Sequence, residues 1–373
     1  MKNLKSTILS ATLALTAGVA YAQIESPEIP SFINKDANHI QGELPRFHRG
    51  LKMLEAGEDT VVRVLHIGDS HIQAEFVTNY IRERLQDKYG DAGRGLVAPL
   101  RLAGTNQSHD YAITKRPSDG TVLQTRLLKF PWPAEPGVTG ISVVSNEPET
   151  YVVTLNDRPG GISKATTITS VGWDDYYFDT PHDSMTIATN ANEALYGVVI
   201  ENGKPGILYS AIGNNGACFT DYSLISGFPA ETGLFNSDLI ILSMGTNEGF
   251  STMTDFEIER SVRDLIRSIR AYNPGADILV LTPMECQKNR NHGKKPLSEF
   301  YDINTRVLEA GEIIRKTALD EGVALWDFFP ISGGNGASNK WLEAGLMNKD
   351  HIHLYKSGYE VMGELLFESL LPQ

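Results

Sequence analysis

Residues 64–73 read VLHIGDSHIQ, an apolar run that stops at Gly68 and is followed at once by an acid, a hydroxyl and an imidazole. The run starts at Val61 and has the near-continuous apolar character of a strand covered on both faces. From Ala74 to Tyr89 the residues Phe76, Val77, Tyr80, Ile81 and Leu85 then recur at helical spacing. The unit repeats along the chain. DLIILSM (238–244) precedes a helical stretch near 254–271, and ADILVLT (276–282) precedes another near 299–321. VALWDFF (323–329) leads to a final amphipathic helix from about Lys356 to Leu371. Apolar strands alternating with amphipathic helices predict an α/β fold, a doubly wound parallel sheet with helices on both faces.

Between these units, residues 104–205 change character. Short Thr- and Val-rich runs such as GISVVS, TYVVTL and YGVVIENGKPGILYS are punctuated by Gly, Pro, Asn and Asp, with no helical period. We read a β-rich insertion, a small sandwich, that leaves and re-enters the α/β domain, which is then made of residues 23–103 and 206–373.

Composition narrows the class. The chain has 373 residues, 41% of them hydrophobic, enough for a large core. Its start, MKNLKSTILSATLALTAGVAYAQ, sets Lys2 and Lys5 before an apolar segment and ends in Ala20-Tyr21-Ala22. This is the pattern of a signal peptide spanning residues 1–22 and cleaved near Ala22-Gln23, which predicts a periplasmic or secreted protein. The apolar part, roughly 15 residues, falls short of the about 20 needed to cross a bilayer. Loss of Lys2 and Lys5 moves the formal charge from −13 to −15, which disfavours nucleic acid and anionic membrane surfaces as partners. With only Cys218 and Cys286 and no clustered histidines, neither a metal nor another cofactor is expected.

Sites on parallel sheets form beyond the carboxyl ends of the strands, where Ser70 lies. A serine nucleophile needs a base, a group to orient that base, and donors for the oxyanion. Near the chain end, NKDHIHLYKSGY places Asp350 three residues before His353, so one turn of backbone brings carboxylate to imidazole; His351, adjacent to Asp350, would have to fold back sharply. LSMGTNEGF sets Asn247 just past an apolar strand, and AIGNNGACF offers the unobstructed backbone N–H of Gly216. Each residue also has a plain structural reading, as a helix cap or a turn former. The G-x-S-x-G elbow is not met at Ser70, because Ile72 occupies the second glycine position.

Taken together and in order, Ser70 in GDSH, Gly216 in NNGA, Asn247 in GTNE and the Asp350/His353 pair resemble the four signature blocks of the SGNH (GDSL-like) hydrolases. The resemblance covers residues 45–103 and 206–373. It implies a flavodoxin-like sheet and esterase activity, with Ser70 as nucleophile, His353 as base and Asp350 as its partner. The Ser70 and Gly216 N–H groups and the Asn247 amide would be the oxyanion donors. His71 stands where many relatives have leucine. The GDSH and GTNE spellings and the insertion most resemble the secreted peptidoglycan O-acetylesterase branch, implying an acetylated glycan or peptidoglycan as the substrate partner. A polysaccharide O-acetyltransferase with the same triad and a non-catalytic glycan-binding protein are the alternatives.

Secondary candidates are fewer. In MECQKNRNHGKKP (284–296), Lys288 and Arg290, with Lys294 and Lys295, form a basic run able to meet carboxylates, and His71 adjoins the nucleophile. In the insertion, Trp132, Trp173, Tyr176 and Tyr177 are candidates for stacking on sugar rings.

Overall fold

The computed structural model describes residues 25–156, 161–290 and 301–372. The expected signal peptide and its cleavage site, and Lys294 and Lys295, lie outside the described residues. Among those described, no helix is long and apolar enough to cross a membrane.

Five parallel strands form the centre: β1 (Val61–Gly68), β2 (Gly206–Gly213), β3 (Leu239–Ser243), β4 (Asp277–Leu281) and β5 (Ala324–Trp326). Their order is β2-β1-β3-β4-β5, with the short strand Ile40–Gln41 antiparallel on the β5 edge. This is the flavodoxin-like order, and its switch point falls at β1, so a crevice opens beyond the end of that strand. The apolar runs follow from position: every residue of β3 is buried, as is each of the last five of β1.

Helices cover both faces. On one side, α1 (Pro45–Glu55), α3 (Phe76–Tyr89) and α6 (Lys356–Leu370) pack Leu51, Val77, Ile81, Leu365 and Leu366 against Val64, Ile241 and Leu279. The short helix α2 (Ser70–Gln73) lies between β1 and α3. On the other side, α4 (Asp255–Tyr272) and α5 (Thr305–Asp320) meet Leu65, Ile67 and Ile240. In α4 the buried residues Ile258, Val262, Leu265, Ile266 and Ile269 make one stripe. Its first turn is closed by Thr254 and Glu257, each accepting the other's backbone N–H.

The β-rich segment folds as two antiparallel layers. Tyr111–Lys115, Glu149–Leu155 and Ser184–Thr189 form one. Val122–Arg126, Ile141–Ser145, Leu195–Glu201, Ile162–Thr169 and Gly172–His182 form the other, with Gly95–Val97 paired to Leu195–Glu201. Alternation explains the packing: in Glu149–Leu155, Tyr151, Val153 and Leu155 point inward to meet Val143, Ala165 and Val198. Outward residues of the larger layer, Leu96, Val144, Ile168 and Val199, join the core around Leu65, Leu208 and Ile240.

Several boundaries differ from the sequence reading. YGVVIENGKPGILYS, read as one β-rich run, is divided between two sheets: Leu195–Glu201 belongs to the antiparallel layer and Gly206–Gly213 to the parallel one. The helix expected near 299–321 starts at Thr305, because Asn304 caps it and Tyr301–Ile303 pairs with Gln287–Asn289. The strand expected over 323–329 ends at Trp326, and Phe328–Ile331 turns into a helix. The helix expected from Ala74 starts at Phe76, since Glu75 has φ 58°, outside helical geometry.

Candidate active site

Strand β1 runs into Asp69 and Ser70 at the switch point. Asp69 caps α2 by accepting the His71 N–H at 2.9 Å, which fixes Ser70 as the first residue of that helix. The Ser70 N–H, in a helix's first turn, has no intrahelical acceptor and is available to a ligand.

Opposite stands the loop before α6, closed by the Asn348 N–H to His353 carbonyl bond at 2.7 Å. His353 Nε2 lies 2.8 Å from Ser70 Oγ, and its Nδ1 lies 2.7 Å from Asp350 Oδ2. The other Asp350 oxygen accepts the N–H groups of Ile352 and His353, both at 2.9 Å. Burial works against the Asp350 charge, but these hydrogen bonds outweigh it and hold the carboxyl down at about 2. The same Asp350 hydrogen bond raises His353 above the usual histidine range, with burial opposing. The charge on Asp350 adds to the rise.

His351 is turned elsewhere. With φ 62°, its Nδ1 lies 2.7 Å from Gln287 Oε1 and its ring stacks on Tyr301 at 3.6 Å. It ties the loop before α6 to the hairpin of Gln287–Asn289 and Tyr301–Ile303. Lys288 lies on this hairpin opposite Asp302, and Arg290, just past its first strand, pairs with Asp302 at 2.8 Å. His71 does come close: its ring centre is 5.1 Å from that of His353 and its Nδ1 is 2.9 Å from Tyr359 Oη. Burial, then the neighbouring His353 charge, pushes His71 down to about 3, so it is neutral wherever His353 titrates.

On the third side lies the turn after β2. Asn214 donates its N–H to Gly68 O at 3.1 Å, and its side chain bonds Thr139 O and Tyr222 Oη. Gly216 has φ 85°, a left-handed value that suits glycine. It is exposed, and its N–H makes no hydrogen bond to a described residue. Asn247 reaches the same region from the loop after β3, where its Nδ2 donates to Asp69 Oδ2 and to Ala217 O, both at 3.1 Å. Both amide hydrogens therefore already have acceptors. Burial raises Asp69 to about 7 and the adjoining Glu248 to about 8.

Gln73, which the sequence reading passed over, holds this arrangement together. It is buried on α2, accepts the Asn215 N–H at 2.7 Å and donates to Thr105 Oγ1. One side chain thus joins α2, which begins at Ser70, the Gly216 turn and the entrance to the antiparallel layers. Its spacing, three residues after Ser70 and so on the same helical face, is the only sequence signal for it. Among the described residues no group of three His, Cys, Asp or Glu side chains could hold a metal, and Cys218 and Cys286 are separate buried thiols.

Comparison with known proteins finds one family and several solved structures. A model of the GDSL-like Lipase/Acylhydrolase family matches residues 153–361, more than half of the chain. The matched stretch contains Gly216, Asn247, Asp350 and His353 and begins after Ser70. A solved peptidoglycan O-acetylesterase structure superposes with TM-score 0.75 at 25% identity, over 89% of this chain and 97% of that chain. An acetyl xylan esterase, AlAXEase, gives 0.35 at 18% identity, over 44% of this chain and 81% of that one. A lipase/acylhydrolase from Enterococcus faecalis gives 0.34 at 16% identity, over 44% and 75%. No curated protein sequence matches the chain. With the SGNH hydrolase fold formed by this sheet and the family match spanning most of its second half, the chain belongs to the GDSL-like lipase/acylhydrolase family and is an esterase.

Proposed function

We propose that the protein is an exported serine esterase that removes O-acetyl or other small acyl groups from peptidoglycan or another polysaccharide through an acyl-enzyme on Ser70. The observation that carries this reading is the unbroken chain from Ser70 Oγ through His353 to Asp350, with contacts of 2.8 and 2.7 Å. Likeness to a peptidoglycan O-acetylesterase supports the substrate class.

In this mechanism Ser70 Oγ attacks the ester carbonyl as its proton passes to His353 Nε2. Asp350 holds the imidazole in place and stabilises the imidazolium. The N–H groups of Ser70 and Gly216 receive the oxyanion. Asn247 contributes by sharing a hydrogen that it now gives to Asp69 or Ala217. His353 then protonates the sugar oxygen as the C–O bond breaks. A water molecule, deprotonated by His353, finally releases the carboxylic acid and restores Ser70.

Purified protein incubated with O-acetylated peptidoglycan and with acetylated plant glycans should release acetate, and faster from the former. Release from plant glycans alone would reassign the polymer. No release from any glycan, with an aryl acetate still cleaved, would leave an esterase of another substrate.

The pH dependence follows from His353. As a base it works only when neutral, so kcat/KM should rise with pH as its proton leaves. Because Asp350 raises His353, the acid limb should have its midpoint above the usual histidine range. In Asp350→Asn the midpoint should move down. An acid limb unmoved by that substitution would show that another group controls it.

A further inference from the structure

The larger antiparallel layer sends one loop to the edge of the candidate site. Leu128 packs against the Gly216 turn: a Cβ placed on Gly216 would lie 3.4 Å from Leu128 Cδ1. Two residues on, at most about 7 Å along the backbone, Phe130 projects outward with 63% of its surface exposed. Its ring stacks on Trp132, with centroids 4.5 Å apart and planes at 24°.

This pair is held in place by its surroundings. Trp132 Nε1 donates to Arg126 O at 3.2 Å, and the Lys129 N–H closes a turn onto the same carbonyl at 2.9 Å. Thr125 Oγ1 donates to Ala134 O at 2.9 Å, across the base of the loop. Leu127 is buried in the core and its N–H bonds Gly140 O at 2.8 Å. An exposed aromatic ring on a loop fastened at both ends is a preorganised surface. Nothing among the described residues covers its outer face.

We propose that Phe130, backed by Trp132, is a ledge on which a pyranose ring of the substrate stacks, so that an ester group on that sugar reaches Ser70 beside Gly216. The inference rests on the glycan-esterase reading above and adds the subsite that would give it substrate preference. The chemistry fits the ring. The C–H face of a pyranose is apolar with a slightly positive edge, and an aromatic face carries the complementary negative charge. The uncharged ledge suits a neutral sugar on a protein whose formal charge is −13.

The test compares three esters on the intact protein: an O-acetylated peptidoglycan oligosaccharide, an aryl acetate that carries no sugar, and an aryl ester of a longer acyl chain. In Phe130→Ala the ratio of kcat/KM for the oligosaccharide to that for the aryl acetate should fall about 3- to 10-fold, through KM. Phe130→Tyr, which keeps the ring face, should restore it. An unchanged ratio in Phe130→Ala would overturn the ledge while leaving Ser70 chemistry intact. Loss of discrimination between short and long aryl acyl esters, without change for the sugar, would make the loop an acyl-chain subsite instead. Wild-type protein that cleaves the aryl ester but no glycan ester would remove the glycan reading and this proposal together.

Discussion

Ser70→Ala is expected to lower kcat for an aryl acetate by about six orders of magnitude while leaving the thermal unfolding midpoint unchanged. The size follows from the way the triad acts. Without Oγ there is no atom to form the acyl-enzyme, and the base 2.8 Å away has nothing to deprotonate. The residual rate then belongs to whatever the two free N–H groups do for direct attack by water. His353→Ala should cost about as much, and the double variant no more, because serine and histidine act as one unit. Asp350→Asn should lose about four orders, since its amide would favour the wrong imidazole tautomer. Steady-state rates of the wild type and the four variants decide the matter. A Ser70→Ala protein retaining even 1% of the wild-type rate would place the nucleophile elsewhere.

The second large effect concerns stability. Arg82 and Arg94 have fully buried side chains, beside Glu75 and Asp110. Arg94 grips Asp110 with two bonds of 3.0 Å and reaches Glu75 at 2.7 Å, and Arg82 Nη2 donates at 2.7 Å to Asp110 Oδ2, the oxygen that also accepts from Arg94 Nε. Ser108 Oγ adds a bond to Asp110 at 2.7 Å, and the Arg94 guanidinium sits 4.8 Å from the centre of the Tyr111 ring. Burial favours a neutral Asp110, but the two arginines outweigh it and keep the carboxyl far below the usual range. Arg94→Met is therefore expected to cost about 3–5 kcal/mol of folding stability, because two carboxylates would share one buried cation. Urea unfolding of wild type and variant measures it. A loss under about 1 kcal/mol would mean that water or rearrangement compensates the site readily.

How much of this was legible in the sequence depends on the range of the interaction that decides it. The parallel sheet was, because burial on both faces leaves continuous apolar runs such as DLIILSM, and local periodicity suffices to read them. The candidates Ser70, Gly216, Asn247, Asp350 and His353 came from short polar blocks near the ends of such runs, and their proposed roles from the resemblance of those blocks taken together. The division of YGVVIENGKPGILYS between two sheets was not legible, since both halves are apolar and β-prone. Only distant partners separate them: Leu195–Glu201 pairs with Ile162–Thr169, and Gly206–Gly213 with Val61–Gly68. Gln73, Arg82 and Arg94 were likewise missed. A buried polar side chain looks like a surface one until its partners are known, and those partners, Thr105, Asn215 and Asp110, come from separate segments.

The pairing of Val61 with Gly206 has a consequence for how the molecule is assembled. Strand β1 cannot gain β2 as its neighbour until every residue of the antiparallel layers has left the ribosome. Closing so long a loop is entropically costly, and native contacts this distant along the chain favour slow folding. The antiparallel layers, all of whose strands precede β2 in the chain, can order first and present β2 to a waiting β1. The turn that carries Gly216 would then be among the last parts of the molecule to become ordered.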